Sequence, residues 1–172
     1  MGLKAARKAL YYSNLNPDDI DLVIWSGEEI KEYRNWPVGP KIQKELALTK
    51  AWSFDLQQRC GTTLVAIKLA RDMIRTDDNL KHILIVSGYR NSDLIHYGNP
   101  RVRWMYYLAA GGAACIVQRD CPVNEILGGH AMSDGSFAWD VYVPQGGSAE
   151  PMTLEGLKQG KQYLDVLDPE GM

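Results

Sequence analysis

The stretch Ala51 to Ala66, AWSFDLQQRCGTTLVA, constrains this chain more than any other. Trp52, Phe54 and Leu56 alternate with Ser53 and Asp55, the period of two that marks a strand. From Leu64 to Ile74 the period lengthens. Val65, Leu69 and Met73 fall on one line with Leu64 and Ile67 beside it, and Ala66 and Ala70 leave room for another element to pack closely. The pattern predicts a buried strand, a tight turn and a helix, with Cys60 at or just before the helix N-terminus. Unpaired N–H groups and the helix dipole favour a negatively charged sulfur at such an end. Two readings of Cys60 stand side by side: a nucleophile that wants a base nearby, or a small buried apolar residue at a junction.

The rest of the chain repeats the same alternation. Leu3 to Tyr12 reads as an amphipathic helix, and Asn14 to Asp19 as a turn rich in Asn, Pro and Asp. Ile20 to Trp25 has the apolar, β-branched character of a buried parallel strand. Ser26 to Gly39 is a polar loop that contains Glu28, Glu29 and Trp36-Pro37, and Pro40 to Leu48 is a short helix. Ile83 to Gly88 is a second strongly apolar strand, followed by a long polar and aromatic loop from Tyr89 to Tyr107; loops of that length are usually functional. Leu108 to Val117, rich in Gly and Ala, ends as a strand. Glu125 to Ala131 and Ala138 to Val143 are expected to pair, turned at Ser133-Asp134-Gly135. The tail Asp168 to Met172 offers no closing element. Strand and helix alternating in this way predict an α/β sheet with helices on its faces, in one domain over 1–172.

Bulk properties exclude several classes. The 172 residues suffice for a substantial core, and a net charge of -2 leaves no basic footprint for nucleic acid. No apolar run approaches the ~18 residues of a membrane span. Cys60, Cys115 and Cys121 form no CxxC pair and no zinc spacing, and so sparse a count fits a reducing cytoplasm. No metal is expected. Gly111-Gly112 lacks the GxGxxG pattern and precedes a strand, so its expected role is close backbone approach. His82, His96 and His130 have no partner motif, and Glu28 and Glu29 read as solvated loop charges. Arg101 and Arg103 have the chemistry to hold a phosphate.

Several segments, in order, resemble the 3-oxoacyl-(acyl-carrier-protein) synthase III family of the thiolase superfamily. These are Asp18 to Ile24, Phe54-Asp55-Leu56 followed by Cys60-Gly61, Ile85 to Gly88, Ala109 to Ala114 (similar to the family's Gly-Asp-Gly-Ala-Gly-Ala run) and Ser133-Asp134-Gly135. The resemblance implies a thiolase-like α/β fold: the N-terminal-half layer, a mixed sheet flanked by helices, incomplete because the chain would be a piece of a longer enzyme. It implies that Cys60 accepts an acyl group from acyl-CoA and that malonyl-acyl-carrier-protein condenses with it, at the start of fatty acid synthesis. Arg101 or Arg103 would contact CoA, and Trp36 would reach a partner subunit's acyl pocket. No cofactor beyond these thioester substrates is implied. The family's His and Asn match no residue here, so the chain alone would not turn over. A homodimer is implied, with Ile83 to Val86 pairing across its two-fold axis. Arg59-Cys60-Gly61-Thr62-Thr63 departs from the family's Ala-Cys-Ser/Ala-Gly, and Ala110 stands where the family has Asp. Other expectations remain open: a hydroxymethylglutaryl-CoA synthase-like or polyketide-type condensing enzyme, or a non-catalytic thiolase-fold subunit.

Overall fold

The computed structural model describes residues 1–27 and 31–167; the expectations for Glu28, Glu29 and the tail 168–172 lie outside the described residues. The chain divides into two compact units, Met1–Tyr89 with Gly111–Ala131, and Arg90–Ala110 with Met132–Met172.

The first unit carries helix α1 (Gly2–Ser13), strand β1 (Leu22–Ser26), helix α2 (Val38–Glu45), strand β2 (Trp52–Leu56), helix α3 (Thr62–Thr76) and strands β3 (His82–Arg90) and β4 (Ala110–Gln118). The sheet order is β2-β1-β3-β4. β1 pairs in parallel with both neighbours, Leu22 facing Trp52 on one side and Ile83 on the other. The Arg119 amide donates to Lys81 O at one end of β3 and the Asn91 amide to Ala109 O at the other, so β4 runs antiparallel and the sheet is mixed.

β1 is buried along its whole length, and alternate side chains of β1 and β3 fill two cores. Val23, Trp25, Leu84 and Val86 pack with Ala6 and Leu10 of α1 and Val38 and Ile42 of α2. Leu22, Ile24, Ile83 and Ile85 pack with Ala66, Ala70 and Ile74 of α3. Each such aliphatic side chain taken from water contributes about 1.5–3 kcal/mol. The buried line of α3 is Thr62, Ala66, Ala70 and Ile74, not the Val65, Leu69, Met73 line that the sequence favoured. Small side chains let the helix lie close on the sheet, and Leu64 is left 73% exposed.

Two strand expectations need correction. β2 is an edge strand with Trp52 half exposed, because among the described residues it pairs with β1 alone. β3 lies between β1 and β4, so both its backbone edges are occupied and Ile83 to Val86 cannot pair with a twin across a two-fold axis.

The start of α1 lies against β3 and β4. A Cβ at Gly88 would stand 2.7 Å from Gly2 N, and one at Gly112 2.7 Å from the Met1 carbonyl carbon, whereas nothing lies within 4 Å of one at Gly111. Close approach explains Gly112 as the sequence proposed, but not Gly111. The carboxylate of Asp21 ties the strand starts together, accepting from the Lys81 and His82 amides at 2.7 and 2.9 Å.

In the second unit β5 (Val141–Tyr142) pairs antiparallel with β6 (Asp165–Val166), and a short helix α4 (Leu154–Lys158) lies between them in sequence. Ile95, Val102, Met105 and Val166 form its core. Glu125 to Ala131 is not a strand, so the expected pairing with Ala138 to Val143 does not form; the hydrogen-bonding partner of that segment comes from twenty-odd residues later in the chain. The Ser133-Asp134-Gly135 turn is present: Asp134 accepts from the Ser136 amide and hydroxyl, and these bonds hold its carboxyl below the usual range.

Gly112→Ala is expected to lower stability by about 1–3 kcal/mol, the usual cost of overpacking, and Gly111→Ala to change it by less than about 0.5 kcal/mol. Urea unfolding of the two variants checks the contrast.

Candidate active site

Cys60 sits where the sequence places it. β2 ends at Leu56, a 3-10 turn spans Arg59–Gly61, and α3 begins at Thr62. The thiol is free and exposed, immediately ahead of the open N-terminal turn of α3. Gly61 is the helix N-cap and makes no side-chain cap bond, so it leaves early N–H groups of the helix unanswered by a side chain. Among the described residues nothing hydrogen-bonds to the Cys60 sulfur.

The turn is held from both sides. Arg59 has a left-handed backbone, φ 49°, a conformation that costs a residue with a Cβ about 1–2 kcal/mol. The Thr62 hydroxyl accepts from the Gln58 amide at 2.8 Å and donates to Arg59 O at 2.5 Å. One residue further on, the hydroxyls of Thr63 and Ser26 lie 2.7 Å apart, which joins the first turn of α3 to the end of β1. Ser26 and Thr62 are both buried. Sequence reasoning assigned no role to Ser26, Thr62 or Thr63. The available signal was a pair of threonines just before a helical apolar period, the pattern of a helix start.

The other cysteines differ in setting. Cys121 is exposed beyond β4, and Cys115 lies within β4, where burial pushes its thiol pKa up. Of the histidines, His82 is committed to Asp19 O through Nδ1 at 2.9 Å and His96 stacks on Tyr163 with ring centroids 5.3 Å apart; His130 is exposed.

Trp36 also lies in the first unit. Its ring meets Tyr33 edge-on at 5.6 Å, packs beside the α1/α2 core, and has the Lys41 ammonium 5.4 Å from its centroid. Its backbone is anchored through Asp55 of β2. That carboxylate accepts from the Val38 and Gly39 amides at the start of α2 and pairs with Lys31, whose ammonium also donates to Trp36 O at 3.3 Å. Asp55 therefore does for α2 what its N-cap Pro37 cannot.

Arg101 and Arg103 belong to the second unit. The Arg101 guanidinium is already engaged: it pairs with Asp165 at 3.7 Å and donates to Val166 O and Leu167 O. Arg103 is exposed and forms no ion pair among the described residues. A cavity of about 330 Å³ in this unit is lined by His96, Asn99, Lys161, Tyr163 and Asp165, and by neither arginine. Among the described residues no cluster of His, Cys, Asp and Glu could hold a metal, and no helix is long and apolar enough to cross a membrane.

Residues 54–135 match the family described as 3-oxoacyl-[acyl-carrier-protein (ACP)] synthase III, a span that includes Cys60 and the Asp134 turn. Beta-ketoacyl-[acyl-carrier-protein] synthase III of Chlamydia pneumoniae is 27% identical over 168 residues, covering 95% of this chain and 48% of that protein. The protein of the same name from Streptomyces lividans is 29% identical over 163 residues, covering 91% and 47%. The chain thus spans about half the length of the curated relatives it matches. The fold is similar to a 3-oxoacyl-(acyl-carrier-protein) synthase III crystal structure with a TM-score of 0.80 at 21% identity, over 98% of this chain and 52% of that one. The Aquifex aeolicus VF5 enzyme of the same description gives 0.75 at 20% identity, over 92% and 49%. The mixed sheet with helices on both faces is the thiolase-like arrangement of those structures, and residues 54–135 carry the similarity to the 3-oxoacyl-(acyl-carrier-protein) synthase III family.

Proposed function

We propose that this chain carries the acyl-accepting part of a condensing enzyme of the 3-oxoacyl-acyl-carrier-protein synthase III type. The observation that supports this most directly is the placing of Cys60: a free, exposed thiol on a fixed turn, ahead of the N-terminus of α3, inside the segment that matches the family. A thiolate there attacks the carbonyl carbon of an acyl-CoA thioester, the carbonyl oxygen takes the charge, and the tetrahedral adduct collapses with release of CoA thiolate. The acyl group is left on Cys60 as a thioester. Malonyl-acyl-carrier-protein then loses carbon dioxide, and the electron pair released forms the carbon–carbon bond to the acyl carbon as Cys60 departs. Covalent storage splits one difficult transfer into two. Backbone N–H groups at the turn are suited to receive the developing oxyanion, because they are fixed before the charge appears. Acyl-CoA and an acyl carrier protein are thus the proposed partners, in the cytoplasm, with no further cofactor.

Of the two arginines, Arg103 suits the CoA phosphates better, since Arg101 is already committed to Asp165 and two carbonyls. Trp36 is proposed as part of the acyl pocket. Self-association, if it builds on strand pairing, needs a free edge; β2 has one, and its Trp52 stacks on Phe54 at 5.5 Å on a half-exposed face. We propose a homodimer through β2.

Four outcomes test these readings. Incubation with acetyl-CoA should add one acetyl group at Cys60, seen by intact mass and peptide mapping, and Cys60→Ala should abolish it; acetylation that survives the substitution contradicts the assignment. Brief iodoacetamide treatment should label Cys60 ahead of Cys121 and leave Cys115 last, its labelling rising only at more alkaline pH because burial raises its pKa. With malonyl-acyl-carrier-protein added, the 172-residue chain should give less than about a thousandth of the 3-oxoacyl product of a full-length relative, since groups that act as a unit fail together. For assembly, light scattering should show a dimer that Trp52→Lys returns to monomer.

A further inference from the structure

We propose that the Thr62 hydroxyl is a positioning group for Cys60, holding the Gln58–Thr62 turn in the one backbone conformation that presents the sulfur ahead of α3. This rests on Cys60 being the nucleophile. The side chain of Thr62 is 3% exposed, so its hydroxyl must find its partners within the protein. It finds two, and both belong to the turn that carries the cysteine: it accepts from the Gln58 amide at 2.8 Å and donates to Arg59 O at 2.5 Å. The Arg59 carbonyl also receives the Thr62 amide. Three hydrogen bonds thus close a loop around Cys60, and its strained member is Arg59, at φ 49°. Without the hydroxyl, the Arg59 carbonyl loses one of its donors and the Gln58 amide loses its acceptor. The sulfur then no longer keeps a fixed distance from the helix N–H groups. Thr63 fixes the same turn of α3 to the sheet through Ser26 at 2.7 Å, so the clamp is local to the residues before the helix. A small Ser/Ala-Gly after the cysteine, as in the pattern that this chain departs from, has no side chain able to make this clamp at position 62.

The test compares Thr62→Val, which keeps the shape and removes the hydroxyl, with Thr62→Ser, which keeps the hydroxyl. Thermal melting of each confirms folding, and Thr62→Ala replaces the valine variant should that one not fold. Two rates are read in every protein: acetylation of Cys60 by acetyl-CoA, and iodoacetamide labelling of Cys60 across pH 6–10, with Cys121 as an internal reference. In the variants lacking the hydroxyl, both Cys60 rates should fall about tenfold, and Cys121 itself should not change. Thr62→Ser should restore both rates to within about threefold. Wild-type Cys60 rates in a folded variant without the hydroxyl overturn the proposal. In the unmodified protein, hydrogen exchange at the Gln58 amide should be slow, and exchange at the rate of an unprotected loop overturns it without any variant. If Cys60 never acetylates yet its labelling still depends on Thr62, the clamp stands and the proposed function falls.

Discussion

The two-sided burial of β1 is the constraint on which the first unit depends. Five consecutive residues, Leu22 to Ser26, have no exposed face, so apolar side chains must be met above and below. α1 and α2 meet one side and α3 the other. Because β1 pairs in parallel with both neighbours, each connection has to cross a face of the sheet, and α2 and α3 are those connections, with α1 added beside α2. The turn between β2 and α3 then falls at the C-terminal end of the parallel strands, beside the end of β1, and Cys60 is on it. In open sheets of this kind the crevice outside those strand ends is where ligands bind.

Polar groups stabilise the places where the apolar pattern stops. Asp21 collects the amides at the start of β3, Asp55 collects those at the start of α2 and pairs Lys31, and Ser26 meets Thr63. Each replaces hydrogen bonds that a helix end or strand end cannot make with its own backbone. Their loss would cost more than an average surface contact, because a donor left without a partner away from water keeps its full desolvation penalty. The turn carrying Cys60 is held by such groups with its thiol open to solvent, and the loop carrying Trp36 by such groups together with apolar packing.

Much of the fold was legible because it follows from periods. The apolar run from Ile83 to Val86, the helix from Leu3 to Tyr12 and the strand, turn and helix around Cys60 are local patterns with local causes. What was misread depended on partners. Glu125 to Ala131 reads as a strand, but Val141 and Tyr142 take Val166 and Asp165 instead. Leu64, Val65 and Leu69 look like the packing line of α3, but the neighbouring line of Thr62, Ala66, Ala70 and Ile74 allows a closer approach to the sheet and is the one buried. The edge position of β2 and the interior position of β3 are properties of strand order, which no single strand's sequence contains.

The sequence by itself determined that this is an α/β chain with a cysteine at a strand-to-helix junction, because side-chain alternation, helical spacing and turn residues act over a few neighbours. Tertiary structure alone decided which polar side chains hold that junction and the start of α2. Ser26 and Thr63 are 37 residues apart, Lys31 and Asp55 are 24 apart, and nothing in either local segment marks the other as its partner. A hydrogen bond needs its two atoms within about 3 Å, and only the pairing of β1 with β2, with helices folded over both faces, brings those atoms to that distance.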